Sequence, residues 1–441
     1  PEVYKWKLGR LFPDEAAFEK SLAELGGEVG KLEAFQGKLS DPRSLRDAQS
    51  LYFELHNSIN RLTLYASLVQ DTASSSAKYQ SMSTRARALM DELMKQASSL
   101  RGEMLALPDA ALERAYADPD GPAEYRAYLD GLRRRKSRLL EGDAQRVLAL
   151  LGDNLWAEID LNEIPSTVQL AYQAMITDID WPVVHDGDGN EVRLSLSGFP
   201  PLRRDPNRAV RKEAVEAFLA TMRQYRHVFA ATLAGQAAFT VNLARARNYD
   251  TALEAYLDKD ELDPAVYHTL IDTVGANTGL LHRYVRLRKE ALGLDEVRYY
   301  DLYIPLVENV ESSASYAEAR ETILTALQPL GEEYLTILGQ GLDLQNGWID
   351  LFPHHDKRSG AYCASVYGEM PFVCMNYQDS LDDMSTLAHE FGHAMHSIYS
   401  MRNQTVAEFN YAPFLAEIAS TTNEVLLQDH LLANVTDDRV K

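Results

Sequence analysis

The chain has 441 residues, of which 46% are hydrophobic, 25% charged and 9% aromatic. That composition excludes a mostly disordered, collagen-like or disulfide-scaffold protein. At roughly 150 residues per domain, the length predicts two or three domains or one large one, with a core that needs no disulfide or metal to hold it. The formal charge of -21, from 65 acidic and 44 basic residues, argues against a nucleic-acid backbone or an anionic membrane as a partner.

The N-terminal portion is written in helical spacing. Leu55, Ile59, Leu62, Ala66 and Val69 share one helix face, and Leu89, Leu93, Ala97, Leu100 and Met104 repeat the pattern one helix later. Breakers at Gly26–Gly27, Asp41–Pro42, Pro108 and Asp118–Pro122 predict a succession of antiparallel helices joined by short turns. The texture changes at Trp181–Pro201, where Trp181–Val184 and Glu191–Leu196 flank the turn Asp186–Asn190. This reads as a β-hairpin. A calcium loop is excluded, since its sixth position is Glu191 rather than glycine and its twelfth is Ser197 rather than glutamate.

Val210, Ala214, Phe218, Met222, Tyr225, Phe229 and Leu233 predict a long core helix or two in series. Within this stretch, the uncharged run His227–Ala244 is too polar for a membrane span and is expected to be a buried helix. Two short aromatic-rich stretches, Ala361–Tyr367 and Phe372–Tyr377, read as adjacent strands. Helical spacing then returns from Ser380 almost to Lys441. Three segments follow from these textures: a helical region over 1–112, a helical region ending in a hairpin over 113–201, and a catalytic region over 202–441.

Chemistry concentrates in His389-Glu390-Phe391-Gly392-His393, an H-E-x-x-H motif. Ser380 supplies an N-cap and Asp382–Asp383 an acidic first turn, so the motif falls inside a helix over Leu381–Met401. Residues i and i+4 lie one turn apart on one face, so both imidazoles can reach one ion. Zinc in such sites keeps three protein ligands and an open position for water, whose pKa it lowers to about 7. Glu390 is then placed beside that water as its base, passing the proton on to the leaving amine. His396 lies on the same face, but three ligands along one straight helix cannot surround a tetrahedral ion. The metzincin pattern fails as well, with His396 and Tyr399 standing where glycine and histidine are required. The downstream acids are Glu408, Glu417 and Glu424. Pro413 is placed to open a second helix, one turn into which Glu417 can reach back to the first, while Glu424 is better placed to orient a histidine.

The run Lys357–Ser397, KRSGAYCASVYGEMPFVCMNYQDSLDDMSTLAHEFGHAMHS, followed by Phe414–Glu424, FLAEIASTTNE, resembles the oligoendopeptidase F branch of the thimet oligopeptidase family of zinc metallopeptidases. The resemblance implies one zinc ion per chain held by His389, His393 and Glu417, with Glu390 as general base. It implies a mainly α, multi-helical fold in which a deep channel and a small sheet beside the motif helix admit oligopeptides and exclude folded proteins. It also implies that the strand beginning Gly360-Ala361-Tyr362 pairs with the substrate backbone, consistent with edge-strand recognition. Family members carry a His/Tyr-containing segment well beyond the zinc ligands. This chain ends 24 residues after Glu417 (441 less 417) in a tail without either residue, so a longer enzyme is expected, with its own C-terminal segment as a partner.

The functional expectation is a zinc endopeptidase acting on short unfolded peptides. Its rivals are a zinc carboxypeptidase of similar helical fold and a non-catalytic, zinc-containing peptide-binding protein. The two cysteines, Cys363 and Cys374, lack C-x-x-C spacing and read as small buried residues in a cytoplasmic protein.

Overall fold

The computed structural model describes residues 2–138, 178–306 except 197, and 313–434, together with isolated positions between 140 and 176 and at 436. The end of the tail expected to lack site residues lies largely outside these. Compactness divides the chain into two units, one formed by Pro1–Leu150 with Ser312–Lys441 and the other by Leu151–Glu311. They cut across the three segments marked by sequence texture, because the first unit draws on both ends of the chain.

The first unit begins with helices α1 (Glu15–Glu28), α2 (Pro42–Asp71), α3 (Ala77–Ala106), α4 (Asp109–Ala117) and α5 (Arg126–Arg134). Asp41 caps α2 by accepting from the Ser44 amide, and Pro42 opens the helix where no backbone donor is needed. The apolar spacing has the expected consequence. Leu55, Ile59, Leu62 and Ala66 of α2, and Leu93, Ala97, Leu100 and Met104 of α3, are buried.

The second unit contains the hairpin β1 (Val183–His185) and β2 (Glu191–Arg193), followed by α6 (Arg208–Gln224), α7 (Arg226–Ala246), α8 (Ala252–Lys259), α9 (Pro264–Ala276) and α10 (Thr278–Ala291). The hairpin register pairs Val184 with Val192. The Asp186 carboxylate accepts from the amides of Asp188 and Asn190 inside the turn, and Gly189 takes the left-handed conformation at φ +83°. Those bonds account for the D-x-D-x-N pattern without a cation. Trp181, Val184, Leu194, Phe199, Val210 and Ala214 form this unit's core, with Phe218, Met222 and Phe229 packed against it.

The expectation of a buried helix over 227–244 is corrected. The stretch is helical, but Leu243 and Ala244 are the buried residues of α7 and Leu233 is 72% exposed. Its apolar character comes from alanines spread around the helix rather than gathered into a stripe, so absence of charge did not imply burial. No helix among the described residues is long and apolar enough to cross a membrane.

A network of arginines sits on Asp301 within the second unit. The carboxylate accepts from Arg208 Nε (3.0 Å), Arg208 Nη2 (2.8 Å), Arg211 Nη2 (3.1 Å) and the Arg298 amide (3.0 Å). Burial works to raise this carboxyl, but the hydrogen bonds and charge of the arginines overcome it and hold it at about 2.

The chain then returns to the first unit with α11 (Tyr316–Ala326), α12 (Glu332–Gly341), β3 (Ile349–Asp350), β4 (Tyr362–Ala364), β5 (Phe372–Cys374), α13 (Leu381–Asn403) and α14 (Pro413–Asn434). The sheet has the order β3-β5-β4, with β3 parallel to β5 and β4 antiparallel to it. Both expected strands exist, shortened to three residues each. Phe372 and Cys374 face a core that includes Trp6, Phe18, Leu62 and Tyr65. Val373 and Met375 point the other way, into a core with Leu387, Phe391 and Met395 of α13. The alternation of a three-residue strand thus joins the N-terminal helices to the motif helix.

Lys357 ties this sheet together from inside. Its ammonium is buried and donates to Asp350 Oδ1 (2.6 Å) and to the carbonyls of Asp350 (3.1 Å), Phe352 (3.0 Å) and Met375 (2.6 Å). Replacing Lys357 by Met leaves the Asp350 carboxylate buried without its cation, and denaturant titration is expected to read a loss of about 3–5 kcal/mol. Acid should act on the second unit. A carboxylate held below its unfolded value stabilises the fold above that value and loses the effect as pH falls. The Asp301 contribution of about 2 kcal/mol should therefore be full above about pH 4 and disappear as pH drops through about 2. Asp301→Asn should remove that acid-dependent portion from stability measured across the same range.

Candidate metal centre

Helix α13 opens on a capping box. Ser380 Oγ accepts from the Asp383 amide at 3.1 Å, and the Asp383 carboxylate accepts from the Ser380 amide at 3.1 Å. Two turns later His389 and His393 emerge one turn apart. Helix α14 starts at Pro413, as expected, and crosses α13 closely enough that a methyl group on Gly392 would lie 2.4 Å from Ser420 Cα and 2.7 Å from its nitrogen. Only glycine fits at that position of the motif. Asn423 fixes the two helices lengthwise, its Nδ2 donating to the Ala388 carbonyl of α13 at 3.0 Å and its Oδ1 accepting from Tyr334 OH of α12 at 2.9 Å.

This arrangement brings His389, His393 and Glu417 together. The two Nε2 atoms are 3.2 Å apart, and Glu417 Oε2 lies 3.3 Å from His389 Nε2 and 3.4 Å from His393 Nε2. Four donors held tetrahedrally at about 2.0–2.1 Å from an ion are about 3.3–3.4 Å apart, so this near-equilateral face fits zinc. Ser420 Oγ donates to the same Glu417 oxygen at 2.7 Å. On the far side of His389, Nδ1 meets Glu424 Oε1 at 2.5 Å, and Ser385 Oγ donates to the other oxygen of Glu424. With its proton on Nδ1, His389 turns the Nε2 lone pair toward the trio. Burial lowers the pKa of His393, which favours the neutral imidazole that ligation requires.

Glu390, the next residue along α13 after His389, is 6% exposed. Burial pushes its carboxyl up to about 7, opposed by the neighbouring His389 and by a hydrogen bond from the Cys363 amide. That amide belongs to β4, whose outer edge has no strand beside it among the described residues. Val373 and Met375 donate toward β3, so Phe372 and Cys374 face β4, where they pair with Ala364 and Tyr362. Backbone groups alternate along a strand, so those of Ala361, Cys363 and Ser365 face outward.

Other candidates lie elsewhere. The His396 ring stacks on Tyr411 at 3.6 Å, and Glu408 accepts from Thr405 within its own turn. Cys374 is buried and Cys363 partly buried, and burial raises both thiols. Gly360 takes φ +87° at the entrance to β4, and its carbonyl accepts from Asn376 Nδ2 at 2.7 Å. Ala361 is partly buried against the motif-helix core. The Tyr362 hydroxyl donates to Asp71 Oδ2 at 2.6 Å. Three roles were missed in the sequence: Asn423 as a helix clamp, the Cys363 amide as partner of Glu390, and Asp71 as partner of Tyr362. Asn423 had a signal, since it stands three residues after Ser420 on the inward face of α14. The other two pairings join residues 27 and 291 positions apart (390 less 363, 362 less 71) and leave no local pattern.

Residues 202–440 match the model of Peptidase family M3. The chain belongs to Peptidase family M3. It is 32% identical to oligopeptidase PepF of Bacillus subtilis (strain 168) over 435 residues, covering 98% of this chain and 63% of that protein. It is also 32% identical to group B oligopeptidase PepB of Streptococcus agalactiae, covering 99% of this chain and 71% of that protein. The crystal structure of oligoendopeptidase-F from Enterococcus faecium superposes with a TM-score of 0.70 at 27% identity, over 97% of this chain and 69% of that one. The mainly helical fold with a small sheet agrees with that neighbour. The chain thus spans roughly two thirds of the length of these relatives.

Glu424 meets the outer nitrogen of His389 rather than the face shared by the trio, so its loss should loosen a metal held there without removing a ligand. Glu424→Ala is expected to weaken zinc binding about 10- to 100-fold in chelator competition, with the helical circular-dichroism signal unchanged.

Proposed function

We propose that this M3 chain is a zinc-dependent oligoendopeptidase that hydrolyses internal bonds of short unfolded peptides. The observation that carries the reading is the packing of β4 against α13, the helix on which Glu390 stands between His389 and His393 of the trio with Glu417. One place combines a base, an ion-binding face and a strand edge that an extended peptide can join. The relatives named as oligopeptidases support the substrate class.

His389, His393 and Glu417 would hold one zinc ion per chain. When bound, that ion supplies Lewis acidity, polarising the scissile carbonyl and making water more acidic. Glu390 takes the proton from the attacking water and delivers it to the leaving nitrogen. Its burial suits both tasks, since raising the carboxyl toward neutrality makes it a better acceptor while leaving it acidic enough to give the proton up near neutral pH. Along β4, the outward backbone groups of Ala361 and Ser365 would pair with the peptide backbone, which admits varied side chains. Gly360 and Tyr362 shape that edge rather than contact the peptide through side chains. The cysteines Cys363 and Cys374, neither in a disulfide, fit the cytoplasmic location expected from the composition.

The test is Glu390→Gln, assayed for zinc content and for cleavage of quenched peptides of graded length. The variant should retain zinc and lose about 10²- to 10⁴-fold in kcat. Undiminished turnover would remove Glu390 from the reaction, and wild-type release of C-terminal residues alone would indicate a carboxypeptidase.

A further inference from the structure

Asp71 closes helix α2, the end at which the helix dipole disfavours a carboxylate, and the last turn of α2 holds no basic residue. Its side chain is nevertheless only 16% exposed. Donors from the loop before β4 converge on it. The Asp71 carbonyl accepts from the Arg358 amide at 2.8 Å, and Oδ2 accepts from Tyr362 OH at 2.6 Å and from Arg358 Nη1 at 3.5 Å. Two more residues of the same turn extend the grip. The Ser74 amide donates to the Asp356 carbonyl at 2.9 Å, while the amide and hydroxyl of Ser75 donate to the Asp356 carboxylate at 2.8 and 2.9 Å.

The recipient of this grip is a weak strand. β4 has three residues and, among the described residues, a single neighbouring strand, so its ladder alone holds its outer edge poorly. Tyr362 is its first residue, with its ring beside Trp6 and under the Arg358 guanidinium. Burial and the Asp71 charge keep the phenol protonated, so it remains a donor. Fixing the hydroxyl fixes the strand's rotation, and with it the direction of the Ala361 and Cys363 backbone groups on either side.

We infer that Asp71 is a positioning residue for peptide binding: through the Tyr362 hydroxyl it holds the free edge of β4 in the orientation an extended peptide needs. It lies outside the segment matched by the family model, so this role links the N-terminal helices to the peptide site. The inference rests on the peptidase reading above.

The experiment uses the full chain carrying Glu390→Gln, so that peptides bind uncut, and compares Asp71→Ala, Tyr362→Phe and the double variant. Tyr362→Phe keeps the ring's packing and provides a folded comparison if Asp71→Ala proves unstable. Each single variant should raise the Kd of a nonapeptide about tenfold, near the value of one hydrogen bond, with zinc content unchanged. The Kd of a dipeptide, too short to follow the strand, should stay the same. The double variant should lose no more than either single one, since both remove the same bond. Amide exchange over residues 361–365 should accelerate while that of α13 does not. An unchanged nonapeptide Kd, an equal loss at both lengths, or additive losses in the double variant would overturn the inference. If the Glu390→Gln parent binds no peptide, the peptidase reading falls and this inference with it.

Discussion

Everything at the site depends on how closely α14 approaches α13. The approach is set at Gly392, where Ser420 occupies the space a side chain would take. Two helices at this distance present Glu417 beside His389 and His393; an added methyl group would force them apart, and overpacking of that kind is relieved by shifts of the backbone. A metal face with edges of 3.2–3.4 Å tolerates little of that movement. The glycine inside the H-E-x-x-H motif is therefore as much a part of the candidate ion site as the trio itself. Asn423 supplies the complementary constraint, preventing the helices from sliding past one another.

The sheet extends this logic to the base. Glu390 stands on α13, against which β4 packs, and β4 is held by β5, which carries one core on each face. Lys357 closes the structure at the sheet's far end by binding carbonyls from both sides of the β3–β5 pair. A cation that satisfies four acceptors in a buried place contributes geometry more than net stability, because desolvation offsets much of its attraction.

Much of this was legible in the sequence wherever cause and effect lie within one helix. Ser380 announced the start of α13, Pro413 that of α14, and the four-residue spacing of the histidines their common face. That Glu424 would meet a histidine also followed from helical arithmetic once two helices were granted, though which histidine did not. Illegible were contacts made by tertiary approach, such as Cys363 with Glu390 or Asp71 with Tyr362, because backbone donors and distant partners carry no residue signature. The run 227–244 failed differently. Its lack of charge resembled a core pattern, but burial requires a neighbour to pack against and not merely the absence of a charge.

One environment sets the electrostatics of both ligand and base. Burial lowers the pKa of His393 and raises that of Glu390 to about 7, since low polarity disfavours the charged form of each. The first effect leaves a neutral imidazole ready to ligate. The second brings a carboxyl from its ordinary range to near neutrality, where the proposed base, which would also act as an acid, would work best. A bound cation would favour the carboxylate and pull Glu390 back down. On the proposed reading, the desolvation provided by α13 and β4 would counter the field of a bound ion, so that Glu390 could still hold the proton it passes on.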